Sequence, residues 1–201
     1  MTHDQPPPPA RKRGRPTARE REERRDQILD AAVRLFVAKG YQRTSIDDLV
    51  PAARVTKRTV YGYFGDKSDV FTAAVERLRD RALAAPAAAA SPEPLAALAA
   101  RIVATLHGDE AVGLHRLMIA EATTFPALAA RFHRDGPRGY ITALAGRLPG
   151  PDPEPLAEAL FTLLLGEPHR ERLLGLRPAP TEEEARRHAR TALELLGITA
   201  K

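Results

Sequence analysis

Residues 44–67 read T-S-I-D-D-L-V-P-A-A-R-V-T-K-R-T-V-Y-G-Y-F-G-D-K, and the structure of the first third of the chain can be inferred from them. It contains two short helical patterns joined by a tight turn. The hydroxyl of Thr44 or Ser45 can cap the first pattern, because it accepts hydrogen bonds from the free N–H groups of an opening turn. Thr56 caps the second pattern in the same way, and Asp66 caps the helix that follows. Isolated helices of about two turns are marginal in water, so both must pack against neighbours.

The outward face of this stretch offers hydroxyls, cations and phenols, with no carboxylate between residues 56 and 66. Its members are Thr56, Lys57, Arg58, Thr59, Tyr61, Tyr63 and Lys67. Such side chains suit the phosphates and base edges of a nucleic acid. The stretch therefore predicts a helix-turn-helix that binds double-stranded DNA.

Positive charge is concentrated in the same third of the chain. Residues 1–67 carry 15 lysine and arginine residues against 9 aspartate and glutamate residues, a net charge of +6. Residues 68–201 carry 16 against 17, a net charge of −1. This asymmetry favours a nucleic-acid-binding module joined to a neutral domain, since a merely solvated basic surface would spread its charge more evenly.

Composition restricts the remaining classes of protein. The chain has 201 residues, 43% of them hydrophobic, which is enough to bury a substantial core. The lack of cysteine excludes disulfides, thiolate zinc sites and cysteine nucleophiles. No apolar run approaches the roughly 20 residues that span a bilayer, and the start has no apolar segment typical of a secretory signal. We therefore expect a cytoplasmic protein without a membrane contact.

Residues 1–18 contain four consecutive prolines followed by R-K-R-G-R-P. They lack apolar periodicity, which predicts a disordered basic arm. The Gly-Arg-Pro core with Arg13 and Arg15 resembles an AT-hook, in which guanidinium groups enter the narrow minor groove. A solubilising basic tail is the equally favoured alternative.

Helical periodicity continues through the rest of the chain, so we expect an all-α fold of about nine helices. In residues 19–40, Ile28, Ala32, Leu35 and Phe36 form one apolar stripe, with Phe36 as a core anchor and Gly40 at the end. The later patterns cover residues 95–107, 109–123, 126–148, 153–174 and 181–197, after a linker at residues 85–94.

A first helix is followed by G-Y-x-x-T-S-I-D-D-L and then by V-T-K-R-T-V-Y-G-Y-F-G-D-K-S-D-V-F. Over residues 20–70 this order of motifs resembles the DNA-binding domain of the TetR family of bacterial regulators. The resemblance implies helices at about 21–39, 45–52 and 56–62, the last being the recognition helix, and a linking helix at about 66–85. It implies a DNA-binding domain at residues 19–67 and a helical regulatory and dimerisation domain at residues 68–201. The run H-R-L-M-I-A-E-A-x-x-F-P-A-L-A-A-R-F resembles the AefR-like subgroup.

Carried over position by position, the resemblance implies that Thr56, Lys57, Thr59 and Tyr61 touch phosphates or base edges, and that Tyr63 and Lys67 clamp the backbone. Thr44 and Ser45 complete the set of expected DNA contacts. Arg58 is the candidate base reader, because its guanidinium can donate two hydrogen bonds to guanine. Packing is the alternative role for Tyr61.

Two residues depart from the family pattern. Pro51 removes a helical N–H inside the second helix, so we expect that helix to be kinked or shortened. Arg54 replaces the usual turn glycine, and a left-handed conformation there costs on the order of 1 kcal/mol.

The resemblance also implies a homodimer formed by the last two helices. Two apolar stripes allow it: Ala185, Ala189, Ala192, Leu193 and Leu196, and Leu156, Leu160, Leu163 and Leu164. Two-fold symmetry would place the recognition helices ~34 Å apart on a palindromic operator. Packing of both stripes within one subunit is the alternative.

We expect a small-molecule effector to bind among the middle helices and to tilt the linking helix, which lowers operator affinity. The candidate lining residues are Leu114, His115, Met118, Glu121, Phe125, Phe132, Tyr140 and Phe161. Ordinary core packing is the alternative for each. His115 and Glu121 are the most informative, because burying either requires a partner.

An enzyme is the competing class. The sequence shows no metal-ligand pair with a third ligand, no Gly-rich phosphate loop and no nucleophile–base set, so we expect no catalysis, metal or cofactor. His115 and Glu121 are six residues apart and would lie on different faces of a helix. A non-specific architectural protein that binds DNA through residues 1–18 alone is the second alternative.

Overall fold

The computed structural model describes residues 17–84 and 93–198. Within these ranges the chain forms nine α-helices and no β-strand, which confirms the predicted all-α fold. The helices are α1 (Ala18–Lys39), α2 (Ile46–Ala53), α3 (Lys57–Tyr63), α4 (Lys67–Leu83), α5 (Leu95–Leu106), α6 (Asp109–Glu121), α7 (Pro126–Ala145), α8 (Glu154–Leu174) and α9 (Glu182–Leu195). None of these helices is both long and apolar enough to cross a membrane. Most of the predicted linker lies outside the described residues.

Reciprocal caps fix the first residue of four helices. In α2 the Ser45 hydroxyl accepts a hydrogen bond from the Asp48 N–H (3.2 Å), and the Asp48 carboxylate accepts one from the Ser45 N–H (2.8 Å). The other pairs are Thr17 with Glu20 in α1, Asp66 with Asp69 in α4, and Thr181 with Glu184 in α9. Each cap satisfies two of the N–H groups that a helix start leaves free. Ser45, rather than Thr44, therefore caps α2.

The first hydrophobic core lies beneath the two short helices. Phe36 is fully buried, as predicted, and its ring centroid lies 5.6 Å from that of Tyr41 and 5.7 Å from that of Phe71. Leu49 of α2 and Val60 of α3 are buried in the same core. Helices α6 and α7 add Leu114, Leu117, Met118 and Leu128. One core thus joins the helix-turn-helix to two helices of the following region.

The second core is formed by α5, α8, α9 and the C-terminal half of α7. Four members of the predicted α9 stripe, Ala185, Ala189, Ala192 and Leu193, are buried in it, where α9 lies along α5. Leu160 and Leu164 of α8 are buried there as well. Small alanine side chains let the two helices approach closely. These faces are used within one chain, which corrects the expectation that they meet a second subunit.

The two unusual residues of the helix-turn-helix behave differently from one another. Helix α2 runs through Pro51 to Ala53, so the proline does not shorten it as expected. Because Pro51 has no N–H, the carbonyl of Asp47, four residues earlier, lacks its helical hydrogen-bond donor. Asp47 is an exposed residue. Arg54 has φ 52° and ψ 45°, so it adopts the left-handed conformation whose cost the sequence analysis considered. It is the only non-glycine residue with positive φ in the described ranges.

Helix α8 is interrupted at Gly166, where the sequence predicted one continuous helix. Gly166 has φ 55° and ψ −162°, outside the helical region. Pro168 has no N–H, so the carbonyl of Leu164, four residues earlier, loses its helical partner. The Nε2 atoms of His107 and His188 lie 2.9 and 3.0 Å from this oxygen. Because a carbonyl only accepts, both histidines carry a hydrogen on Nε2 and replace the missing donor.

Candidate nucleic-acid interface and ligand cavity

Helix α3 presents a polar face whose orientation is fixed by a cap and by the core. The Thr56 hydroxyl accepts a hydrogen bond from the Thr59 N–H (3.1 Å), and the two hydroxyls lie 2.8 Å apart. Val60, on the opposite face, is buried and sets the rotation of the helix. The exposed members of the predicted set are Thr56, Lys57, Arg58 and Tyr61. Four of the predicted DNA contacts therefore lie together on the open side of one short helix.

Lys57 is paired with an acid in the free protein. Its ammonium lies 2.9 Å from the carboxylate of Asp47 at the start of α2, and the pKa of Lys57 is raised by that hydrogen bond. Both side chains are exposed, and such pairs contribute little to stability. A phosphate can therefore replace Asp47 as the partner of Lys57.

Thr44 is not placed to contact DNA through its side chain, which corrects the prediction. Only 1% of the residue is exposed, and its hydroxyl donates to the carbonyl of Gly40 at 2.8 Å and lies 3.3 Å from that of Leu35. Gly40 is the residue that ends α1, and its carbonyl has no helical donor. Thr44 therefore closes α1, while the exposed neighbour Ser45 caps α2.

Lys67 is turned inward rather than free to clamp the DNA backbone. Its ammonium donates to the carbonyls of Tyr41 (2.9 Å) and Gln42 (3.3 Å) and lies 4.4 Å from the Tyr41 ring centroid. Partial burial lowers the pKa of Lys67. The residue ties the start of α4 to the turn between α1 and α2. Tyr63 is half-buried against the first core, with its ring 6.1 Å from that of Phe64.

Arg13 and Arg15, the predicted minor-groove contacts, lie outside the described residues together with the first 16 positions of the chain.

A cavity of about 100 Å³ lies among α4, α5, α6, α7 and α8. Its wall is formed by Val75, Leu78, Leu106, Ala111, Leu114, His115, Phe132, Gly136, Pro137, Tyr140, Phe161 and Leu165. Five of the eight predicted ligand residues are in this wall: Leu114, His115, Phe132, Tyr140 and Phe161. The aromatic rings of Tyr140 and Phe161 are stacked, 5.8 Å between centroids and 16° between planes.

The other three predicted ligand residues, Met118, Glu121 and Phe125, lie outside the cavity wall, at the contact with the helix-turn-helix. The Glu121 carboxylate accepts a hydrogen bond from the backbone N–H of Gln42 (3.1 Å), beyond the end of α1. The Phe125 ring packs edge-on against Tyr41 at 4.9 Å, and Met118 is buried in the first core. The prediction for these three is wrong because the rotation of α6, invisible in the local pattern, turns Met118 and Glu121 towards the helix-turn-helix, and Phe125, just before α7, packs on Tyr41.

Arg77 is a buried residue that the sequence-based reasoning missed. Its guanidinium donates to the backbone carbonyl of Asp26 (2.9 Å) and pairs with Asp30 (2.7 Å) in α1 and with Glu110 (3.2 Å) in α6. The sequence spacing does indicate that position 77 is buried, because it is seven residues after the buried Val70 and therefore lies on the apolar stripe of α4. A cation on such a stripe needs acidic or carbonyl partners.

A row of histidines runs from the cavity towards the kink of α8. His115 Nδ1 lies 3.1 Å from His169 Nε2, and the ring of His169 lies 5.1 Å from that of His107. Burial lowers the pKa of His107 and of His169 to about 4, and it lowers the pKa of His115 as well. All three rings are therefore neutral at pH 7. Across the described residues, no group of three or more histidine or acidic side chains is arranged to hold a metal ion.

This architecture defines a helix-turn-helix protein whose DNA-facing helices rest on a larger helical region with a cavity among its helices. Residues 28–74 match the family described as bacterial regulatory proteins of the tetR family. Residues 93–196, just over half of the chain, match the C-terminal domain of AefR-like transcriptional repressors. The chain belongs to the TetR family of transcriptional regulators.

Individual relatives agree with this assignment. The helix-turn-helix-type transcriptional regulator AcrR of Shigella flexneri is 45% identical over 58 residues, 29% of this chain and 27% of that protein. The chain thus matches about a quarter of the length of that curated relative. A TetR-family protein of known structure from Mesorhizobium loti is 27% identical with a TM-score of 0.65, covering 88% of this chain and 96% of its own. The flavonoid-responsive regulator FrrA is 26% identical with a TM-score of 0.62, over 87% and 95%.

Proposed function

We propose that this chain is a ligand-responsive repressor that binds an inverted-repeat operator as a homodimer and releases it when a small molecule enters the cavity. The exposed polar face of α3 above a buried apolar face is the observation that carries DNA binding. Repression is supported by the AefR-like match. In this proposal residues 19–67 bind DNA, residues 68–201 dimerise and bind the effector, and the protein works in the cytoplasm.

Arg58 is the proposed base reader. It is exposed in the first turn of α3, the part of a recognition helix that reaches base edges. Lys57 and the hydroxyls of Thr56 and Ser45 are proposed to bind phosphates, which orient the motif without reading sequence. Thr59, Tyr61 and Tyr63 extend this surface along the helix.

Dimerisation uses the outer faces of α8 and α9 in this proposal, since their inner faces are buried within the chain. Leu195 of α9 is 70% exposed, and Thr191, one turn earlier, is exposed as well. On α8, Thr162 is exposed next to the half-buried Leu163. An exposed leucine beside short polar side chains suits close packing against the same helices of a second copy.

Coupling between cavity and operator runs through α4 and α6, because both helices touch the cavity and the helix-turn-helix. Val75 and Leu78 line the cavity, while Arg77 between them bonds α1. In α6, His115 lines the cavity, and Glu121 bonds Gln42. A ligand that displaces the cavity wall therefore moves the helices that hold the recognition helix, and it can favour one of two arrangements only through such differential contacts.

Fluorescence anisotropy with a labelled duplex from upstream of the chain's own gene tests DNA binding. We expect binding that weakens steeply between about 50 and 200 mM salt, because phosphate contacts release counterions. Arg58→Ala should weaken operator binding about 5- to 100-fold and relax specificity, while Lys57→Ala weakens binding to all sequences alike. Arg138→Ala, an exposed substitution on α7, is the matched control and should have no effect.

Two further measurements address the alternatives. Sedimentation of the complex should show two chains per operator, and a chain bound to DNA as a monomer contradicts the dimer. Deletion of residues 1–18 should weaken binding only modestly; complete loss would favour an architectural protein that binds through the arm alone. Failure to bind DNA at any salt concentration rejects the proposal.

A further inference from the structure

The cavity wall contains no charged side chain. Ten of its twelve residues have no polar side-chain atom, and the exceptions are His115 and Tyr140. Burial raises the pKa of the Tyr140 hydroxyl, so this group stays a neutral O–H. A carboxylate or ammonium in this cavity would be buried without a counter-charge, which costs several kcal/mol. The wall therefore favours an uncharged ligand.

The size of the cavity limits the ligand to about one ring. The volume is about 100 Å³. A dry cavity of ~150 Å³ lined by aliphatic and aromatic side chains is known to bind benzene in another protein. A single six-membered ring therefore fills this volume, and a short substituent on the ring has to displace the wall, as the proposed coupling requires.

The hydrogen positions of the histidine row decide what His115 offers to such a ligand. His169 Nδ1 is buried and has no hydrogen-bond partner among the described residues. A buried N–H without an acceptor is rarer than an unused acceptor, so we assign the hydrogen of His169 to Nε2. That N–H donates to His115 Nδ1, 3.1 Å away.

His115 is neutral, because burial lowers its pKa. A neutral imidazole whose Nδ1 accepts a hydrogen bond carries its single hydrogen on Nε2. The described residues provide no acceptor for this N–H, and the ring belongs to the cavity wall. His115 thus offers the ligand one ring N–H donor, the Tyr140 hydroxyl is the other polar side-chain group of the lining, and the remaining ten residues offer apolar contacts.

We propose that the cavity binds a small uncharged ring compound with one hydrogen-bond acceptor, such as an aryl ketone, whose oxygen accepts the Nε2–H of His115. This inference rests on the proposed effector role of the cavity and specifies its ligand class. A ring between Phe132 and Phe161 fills the apolar space, and the ketone oxygen takes the acceptor position that the protein leaves unfilled.

Three probes of matched shape test the inference: acetophenone, α-methylstyrene and benzoate. In calorimetric titration of the full-length protein, we expect acetophenone to bind at least about 10-fold more tightly than α-methylstyrene, which replaces the carbonyl oxygen by a CH₂ group. Benzoate, which adds a charge, should not bind measurably. Equal binding of acetophenone and α-methylstyrene, preference for benzoate, or no binding of acetophenone overturns the inference.

A substitution assigns the preference to His115. His115→Phe should remove the discrimination between acetophenone and α-methylstyrene, and His133→Phe, at an exposed position of α7, should retain it. If His115→Phe does not fold, as judged by circular dichroism, the comparison of probes on the unaltered chain still decides. Retained discrimination in folded His115→Phe overturns the role of His115.

Operator affinity measured in the same samples separates this inference from the proposed function. A chain that binds DNA but ignores acetophenone contradicts the ligand class and leaves the regulator in place. A chain that binds acetophenone with the expected preference and does not change its DNA affinity supports the ligand class and contradicts the coupling.

Discussion

Arg77 of α4 and Asp30 of α1 lie 2.7 Å apart, and the same guanidinium reaches Glu110 of α6 at 3.2 Å. The Arg77 side chain is only 4% exposed, whereas its acidic partners are partly open to solvent. The buried guanidinium of Arg77 therefore depends on its acidic partners to neutralise its charge. It connects the first helix of the DNA-binding region to two helices of the regulatory region.

Replacing Arg77 by methionine should destabilise the fold. Arg77→Met keeps much of the apolar stem and removes three ion pairs, with Asp26, Asp30 and Glu110, and a hydrogen bond to the Asp26 carbonyl. We therefore expect a loss of about 2 kcal/mol in the free energy of unfolding. Urea unfolding followed by circular dichroism measures it. Arg81→Met, whose side chain is 50% exposed and lies 3.9 Å from Asp26, is the matched control and should change stability little. Equal effects of the two substitutions contradict the structural role of Arg77.

Arg54→Gly should stabilise the protein by roughly 1 kcal/mol, because glycine adopts φ 52° without the steric cost of a side chain. The same change at Arg58, inside α3, should have the opposite sign, since glycine weakens a helix by roughly 1 kcal/mol. Thermal unfolding of both variants measures the pair. A fall in stability with Arg54→Gly would show that the left-handed turn is not strained.

Thr44→Val tests the corrected role of Thr44. The substitution keeps the shape and removes the hydroxyl that bonds the end of α1, so we expect a loss of about 1 kcal/mol in stability. Thr44→Ser, which retains the hydroxyl, is the control and should lose less. DNA affinity of the folded Thr44→Val protein should stay within about twofold, and a larger drop would return Thr44 to the set of DNA contacts.

The buried histidines predict a stability that declines in mild acid. The pKa of both His107 and His169 is held at about 4 by burial, against 6.5 for an exposed histidine. Below pH 6.5 the unfolded chain binds more protons than the folded one, so stability is full above pH 6.5 and is lost as pH falls towards 4. Each histidine contributes about 1.4 kcal/mol per pH unit in this window.

His169→Phe should make this decline shallower, and His133→Asn, at an exposed position, should leave it unchanged. Urea midpoints measured between pH 7 and 5.5 give the slope. This range lies above the unfolded pKa of the carboxylates whose pKa is lowered in the folded protein, such as Asp48 and Asp66, so their contribution to stability stays nearly constant across it. An unchanged slope in folded His169→Phe would assign the decline to other groups.

The structural features that depend on residues close together in the sequence could be predicted. Helix starts follow from side-chain caps three residues from their partners, so Thr56 and Asp66 are where the pattern placed them. The exposed face of α3 was predictable because Val60 within the helix and Phe64 just after it are the apolar residues that enter the core.

Features set by distant contacts were not predictable in this way. Thr44 and Ser45 are adjacent hydroxyls, and only the position of the α1 end decides which one caps α2. Glu121 shares a helix with His115, yet the rotation of α6 turns one to Gln42 and the other to the cavity. The alanine stripe of α9 is apolar whether it meets α5 or a second subunit, so pattern alone could not choose between them.

The bond between Glu121 and the Gln42 N–H separates ligand binding from its effect on DNA. Glu121 is outside the cavity wall, so Glu121→Ala should leave the acetophenone affinity within about twofold. The same substitution removes a direct link from α6 to the turn after α1, so the fold-change in operator affinity caused by saturating acetophenone should fall by at least about half. Anisotropy titrations with and without acetophenone measure this ratio. Glu183→Ala, at an exposed position of α9, should retain the full ratio. An unchanged ratio in Glu121→Ala would assign the coupling to α4 and Arg77 alone, because these form the other path from the cavity to α1.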